Sequence, residues 1–290
     1  MVEPDYPMTR LTTVRTGGAA DHFARASSRR ELSELLAWAR ERGAQLHVIG
    51  SGSNLLVADE GVRGLVIKLE GDLARIEPDG AGLRCGGGAR LPAVAARAAA
   101  LGLAGVEFAS NIPGTVGGAV RMNANAYDGA LADVLDWVEI VTADSVSRRR
   151  PDELGFAYRR SGLRAGEIVA RARFALRPAP PEQVRATIGA MRERRHAAQP
   201  KGVRTFGSTF KNPPGARSAG ELLAAAGAGG LSVGGARFSR KHANFVENIG
   251  EARTADILAL MAAGRELVRE RFGIELEPEV QLLGDVRFPW

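Results

Sequence analysis

Two glycine-rich stretches are placed where backbone amides could meet an anion. The first, Gly50-Ser51-Gly52-Ser53-Asn54, follows the apolar run Leu46–Ile49. Glycines let successive N–H groups turn toward one charge, and the Ser and Asn side chains add donors. A Rossmann-type dinucleotide loop should open into a helix and meet an acidic residue about 20 positions on. Here the strand-like Leu55-Leu56-Val57 follows, and that acid has no clear counterpart. The second stretch, Asn111 to Ala119, repeats the ingredients around a rigid Pro113, with Gly114, Thr115, Gly117, Gly118 and Ala119. Either stretch alone is equally a plain turn. Together, two such loops suit a diphosphate held by two small βα units.

The elements that must position these loops are legible from periodicity. Ser28 and Glu31 have capping-box spacing before an apolar face of Leu32, Leu35, Leu36 and Ala39, which predicts a helix over 28–42 stopped at Gly43. Short strands are expected at 46–49, 55–58 and 64–69. Runs 74–76 and 83–85 flank Asp79-Gly80, a hairpin signal. An Ala-rich helix is expected at 91–101, strands at 137–142 and 168–176, and a helix at 182–197 after the Pro-rich break at 178–181. Beyond it come a polar loop at 207–214, a short helix capped by Ser218 and Glu221, an amphipathic helix at 254–272 and a closing strand at 274–283. An α+β half is expected over 1–178 and a smaller α+β domain over 200–290.

Composition narrows the function classes. The chain has 290 residues, 45% hydrophobic and 25% charged, an ordinary globular balance for two or three subdomains. The net charge of +6 suits anionic small molecules or a plainly basic surface. Nucleic acid is disfavoured: Arg148 to Arg150 is the one tight basic triplet, and aromatics make up only 6%. One cysteine, Cys85, in an apolar run, reads as inert core. The four histidines and the single cysteine lack metal-ligand spacing, so no metal is expected. Neither a signal peptide nor an apolar run of membrane-spanning length is apparent, and a cytoplasmic location is expected.

Seven motifs, in order, carry a resemblance. They are Thr16-Gly17-Gly18; Gly50 to Val57; Ile112 to Ala119 with Met122-Asn123-Ala124; Tyr158-Arg159-Arg160-Ser161; Gly207-Ser208-Thr209-Phe210-Lys211-Asn212-Pro213; Lys241-His242-Ala243-Asn244-Phe245; and Pro278-Glu279-Val280. With them the chain resembles the UDP-N-acetylenolpyruvoylglucosamine reductases, in their compact subtype. Asn111, Asn125 and Asp128 stand where that family usually has glycine.

The resemblance implies a fold and a chemistry. The fold is α+β: an FAD-binding domain of the vanillyl-alcohol-oxidase (PCMH) type in two subdomains, plus a C-terminal substrate-binding domain. FAD would be noncovalent, with Gly50 to Asn54 and Gly114, Thr115, Gly117, Gly118 and Ala119 as its binding residues. NADPH would be the hydride donor, and UDP-N-acetylglucosamine enolpyruvate the substrate, in the synthesis of the muramic acid precursor of bacterial cell walls. Hydride addition to the enolpyruvyl group builds negative charge beside its carboxylate, and such charge needs a fixed cation. Arg159 matches the family's catalytic arginine, Ser208 its proton donor and Glu279 its third catalytic residue. Tyr158, Lys211, Asn212, His242 and Asn244 match substrate contacts, although a satisfied structural histidine is an equal reading of His242. The protein is expected to be a monomer. The alternatives are a vanillyl-alcohol-type oxidase, for which Ser208 and Glu279 have no reason to match, and an inactive FAD- or nucleotide-binding regulator, which would have lost the three catalytic residues.

Overall fold

Ser28 Oγ accepts the Glu31 N–H at 3.2 Å and starts a helix over Arg29–Glu41, while Glu31 reaches back to the Ser27 N–H rather than to that of Ser28. Leu32, Leu35, Leu36 and Ala39 are buried, and Gly43 leaves the helix at φ +60°. The computed structural model describes residues 1–215 and 217–290. By packing, the chain forms two compact units. One holds Met1–Glu3, His22–Ser51 and Gly64–Arg195, and the other Pro4–Asp21, Gly52–Arg63 and His196–Trp290.

The first unit contains an antiparallel sheet in the order Val146–Arg149, Leu135–Val141, Ile168–Ala175, Gly82–Gly86, Ile76–Pro78. The hairpin at Asp79-Gly80 pairs Pro78 with Leu83 and Ile76 with Cys85, close to expectation. Leu83, Val138, Ala172 and Phe174 pack with Leu91, Val94 and Ala98 of the helix Leu91–Ala100 and with Val116 and Val120 of the helix Val116–Met122. Cys85 is fully buried in this core. A second core forms where Leu32, Leu35 and Leu36 meet Leu65, Ile67, Ile168 and Ala170. Leu46–Ile49 runs parallel to residues 65–68, in the sheet ordered Val2–Pro7, Ala19–Ala26, Val62–Leu69, Leu46–Ile49.

The second unit has a three-stranded antiparallel sheet, Ser232–Val233, Ala236–Phe238 and Val246–Asn248, beside the helices Ala219–Ala225 and Thr254–Phe272. Ser218 and Glu221 make the expected capping box. Phe206, Phe210, Phe238, Leu223 and Met261 form the core. Leu55–Val57 lies here because it pairs in parallel with Gln281–Leu283. Thr254 Oγ1 donates to the Val57 carbonyl at 2.6 Å, and Asp59 accepts the N–H groups of Thr254 and Ala255 at the start of the long helix. Thr16-Gly17-Gly18 is explained by the same contacts: a side chain on Gly17 would overlap Val57, and one on Gly18 would overlap the backbone of Asp59 and Gly61.

Packing therefore divides the chain differently from the expected cut between 178 and 200, since residues 4–21 and 52–63 join the later part through these long-range bonds. The expected closing strand is shorter too. Only Gln281–Leu283 is strand, because Pro278 has no N–H for a ladder and makes a single bridge with Phe210. Among the described residues, no helix is long and apolar enough to cross a membrane.

Candidate active site

The first glycine loop carries the chain from Leu46–Ile49 to Leu55–Val57. Among the described residues, no backbone N–H from Gly50 to Asn54 donates to another protein group. Backbone donors in partly buried positions require partners, and successive donors on one loop suit an anion that brings only acceptors. The pyrophosphate of FAD fits this donor set. Gly52 takes φ +61°, and a Cβ there would overlap the Leu11 carbonyl. A Cβ on Gly50 would run into Thr115 Oγ1, so the two glycine stretches touch at this point.

The second stretch commits most of its backbone donors within the fold. Thr115 caps the seven-residue helix Val116–Met122. The N–H groups of Val116 and Gly117 go to Ala89 and Gly87 carbonyls at 2.9 and 2.8 Å, and that of Ala119 goes to the Thr115 carbonyl at 2.8 Å. Gly118 N–H reaches Thr115 Oγ1 at 3.5 Å. These four donors are spent inside the fold, and Gly117 is small because it packs on Gly87. Of the three positions where glycine was expected, only Asp128 is left-handed, at φ +64°, beside Tyr127 at +51°. Asn111 and Asn125 lie outside the left-handed region, so a side chain adds no backbone strain at either position.

The first unit also holds Tyr158 and Arg159. They form a two-residue turn closed by Ala157 N–H to the Arg160 carbonyl at 2.9 Å and the reverse bond at 3.1 Å. Arg159 is left-handed at φ +55°. Its guanidinium lies 5.4 Å from the exposed Tyr158 ring and donates to the Asn125 carbonyl at 3.1 Å.

The second unit brings Ser208 and Glu279 onto adjacent segments. Ser208 bridges Phe245, Glu279 N–H donates to the Thr209 carbonyl at 2.9 Å, and Lys211 N–H donates to the Glu277 carbonyl at 2.8 Å. Asn244, 3% exposed, accepts the Phe210 N–H at 2.9 Å and donates to the Phe210 carbonyl at 2.8 Å. Its carboxamide is thus committed to the backbone two residues from Ser208. Asn212 Oδ1 accepts the Ala219 N–H at 3.0 Å, and Lys211 pairs with Glu277 at 3.1 Å. His242 packs edge-on to Phe245 and fills the space that a side chain on Gly220 would need. Burial pushes its pKa below the usual imidazole range, and Nδ1 accepts the Asn244 N–H at 3.3 Å. His242 and Asn244 therefore serve the architecture of this segment. Among the described residues, no group of three or more His, Cys, Asp or Glu side chains is placed to hold a metal ion.

Sequence reasoning assigned no role to Asp59, Thr254 or Asn123. The first two act through contacts about 195 residues apart. Asn123 lies inside the motif Met122-Asn123-Ala124, but its Nδ2 bond reaches a turn more than thirty residues later.

Residues 20–148 match the model of an FAD-binding domain, and residues 199–283 match that of the UDP-N-acetylenolpyruvoylglucosamine reductase C-terminal domain. A UDP-N-acetylenolpyruvoylglucosamine reductase of Symbiobacterium thermophilum is 47% identical, over 98% of this chain and 92% of its own length. One from Anaeromyxobacter dehalogenans is also 47% identical, over 97% and 85%. The crystal structure of the reductase from Thermus caldophilus superposes with a TM-score of 0.86 at 38% identity, covering 98% of this chain and 99% of that one.

Proposed function

Since the chain belongs to the UDP-N-acetylenolpyruvoylglucosamine reductase family, an oxidoreductase family with an FAD-binding domain, we propose that it reduces UDP-N-acetylglucosamine enolpyruvate to UDP-N-acetylmuramate with NADPH. The reaction would serve peptidoglycan precursor synthesis in the cytoplasm. FAD, when bound, supplies the relay of hydride from NADPH to the enolpyruvyl carbon. The observation that carries the reading is the pairing of the Ser208 and Glu279 segments through the Glu279 N–H to Thr209 carbonyl bond.

Each side chain has a task in this reading. Arg159 offers a planar guanidinium to the charge that develops on the substrate carboxylate. Ser208 Oγ delivers a proton to the carbon next to it. A serine hydroxyl is a weak acid, so it acts only if aimed, and the Asn244 bonds to Phe210 aim it. Glu279 hydrogen-bonds the developing enol oxygen. Lys211 is a point charge for substrate or NADPH phosphates. The backbone donors of Gly50 to Asn54 hold the FAD pyrophosphate. Residues 1–178 are assigned to FAD binding and 200–290 to substrate binding, with segments 4–21 and 52–63 packing with the latter.

The test is spectroscopic. The purified protein should carry about one releasable FAD per chain, and its flavin absorbance should bleach with NADPH and recover on adding the enolpyruvyl substrate. Recovery only with oxygen would overturn the proposal in favour of an oxidase.

A further inference from the structure

Arg159 occupies a backbone conformation that a non-glycine residue holds only when its surroundings impose it. The surroundings are the end of the helix Val116–Met122 and the residues just after it. Asn123, 8% exposed and itself left-handed at φ +41° and ψ +58°, donates Nδ2 to the Ala157 carbonyl at 3.2 Å. Its Oδ1 accepts the Ala132 N–H at 3.2 Å. The Ala157 carbonyl is also the acceptor that closes the Arg159 turn through the Arg160 N–H. On the other flank, Ser161 Oγ donates to the Arg121 carbonyl at 2.8 Å, and the Arg121 guanidinium reaches the Glu167 carbonyl at 3.0 Å. Residues 121, 123 and 125 thus grip the turn after it, before it and at its guanidinium.

We propose that Asn123 is a positioning residue for the reaction, acting through the Arg159 turn. The inference rests on the reading of Arg159 as the catalytic arginine. Three demands meet at position 123: a left-handed backbone, a donor for Ala157 and an acceptor for Ala132. Glycine meets only the first. Aspartate tolerates the backbone and keeps the acceptor, but sets a carboxylate oxygen against the Ala157 carbonyl. Asparagine meets all three.

The experiment compares Asn123→Gly, Asn123→Asp, Arg159→Lys and the Asn123→Gly/Arg159→Lys double variant as FAD-loaded enzymes. Stopped-flow absorbance reads flavin reduction by NADPH and flavin oxidation by the enolpyruvyl substrate separately. Reduction is expected within a few-fold of wild type. Oxidation should slow about 10²-fold in both Asn123 variants, the scale of a misplaced catalytic group. The double variant should be no slower than Arg159→Lys alone, because both changes disable one device. Hydrogen exchange at the Arg160 amide should quicken in Asn123→Gly. If that variant fails to retain FAD, Asn123→Asp carries the comparison. Wild-type oxidation in both Asn123 variants, or losses that multiply in the double variant, would overturn the proposal. If Arg159→Lys alone is silent, the functional reading falls. The Arg160 amide still decides the positioning, and unchanged exchange there overturns it.

Discussion

Asn54 and Glu279 lie 225 positions apart and are joined by a 3.1 Å hydrogen bond from Asn54 Nδ2 to the Glu279 carbonyl. The Asn54 carbonyl in turn accepts the Gln281 N–H at 3.1 Å. The last residue of the first glycine loop therefore braces the backbone that carries an expected catalytic acid. Asn54→Ala removes the brace and leaves the loop's backbone donors in place. A net hydrogen bond is worth about 1 kcal/mol, so flavin oxidation by the enolpyruvyl substrate should slow by roughly five- to tenfold. FAD affinity should change little. A large loss of FAD affinity in equilibrium titration would instead make the Asn54 side chain a cofactor ligand.

Ser208→Ala separates the two halves of the reaction. Only a hydroxyl is lost, and the bonds that Thr209 and Phe210 make to Glu279 and Asn244 remain. NADPH should bleach the flavin at nearly the normal rate. Recovery of the absorbance with the enolpyruvyl substrate should slow by about 10²–10⁴-fold, the usual worth of a general acid. Equal slowing of both phases in stopped flow would remove Ser208 from the proton-donor role.

Gly50→Ala should be costly for a reason specific to Thr115. The new methyl runs into Thr115 Oγ1, which caps the helix Val116–Met122. Forced overpacking of this kind costs about 1–3 kcal/mol. Thermal unfolding should show that loss, with weaker FAD retention. The double variant Gly50→Ala/Thr115→Ala clears the clash, although losing the cap alone costs about 1 kcal/mol. It should recover part of the cofactor binding, and no recovery at all would place the damage elsewhere.

His242 gives a stability signature in pH. Burial lowers its pKa in the folded chain, whereas the unfolded chain titrates near the ordinary value of about 6.5. Between those values the unfolded state binds more protons, so stability rises with pH across that window. The contribution is complete above about pH 6.5 and declines as pH falls toward the folded value. Melting temperatures between pH 8 and 5 should therefore fall less steeply in His242→Gln than in the wild type. Parallel curves would show that His242 does not titrate differently on unfolding.

What was legible in the sequence was local. The Ser28 and Ser218 caps, the Asp79-Gly80 hairpin and the long helix ending before Gly273 each state their geometry within a few residues. The burial of Cys85, which pushes its thiol up to about 12, could likewise be read from its apolar run. The helix Val116–Met122 was missed because two glycines and two valines in seven residues have poor helix propensity, and burial with the Thr115 cap overrides it. The strands Val2–Pro7 and Ala19–Ala26 were missed because their sequences show little alternation. In the site, the residue types at Ser208 and Glu279 were readable through motifs. The service of Asn244 and Asn123 to distant backbone was not, because those bonds span more than thirty residues.

The parallel pairing of Leu55–Val57 with Gln281–Leu283 sets an order on how the molecule can be made. The early strand leaves the ribosome roughly two hundred residues before its partner exists. Closing so long a loop is entropically slow, and the exposed Leu56 edge has to wait for it. The first unit ends at Arg195 and its core needs nothing beyond that point. Synthesis can thus complete that core while Leu55–Val57 still lacks its parallel partner, and the assembly of the Ser208 and Glu279 segments becomes the late event in folding.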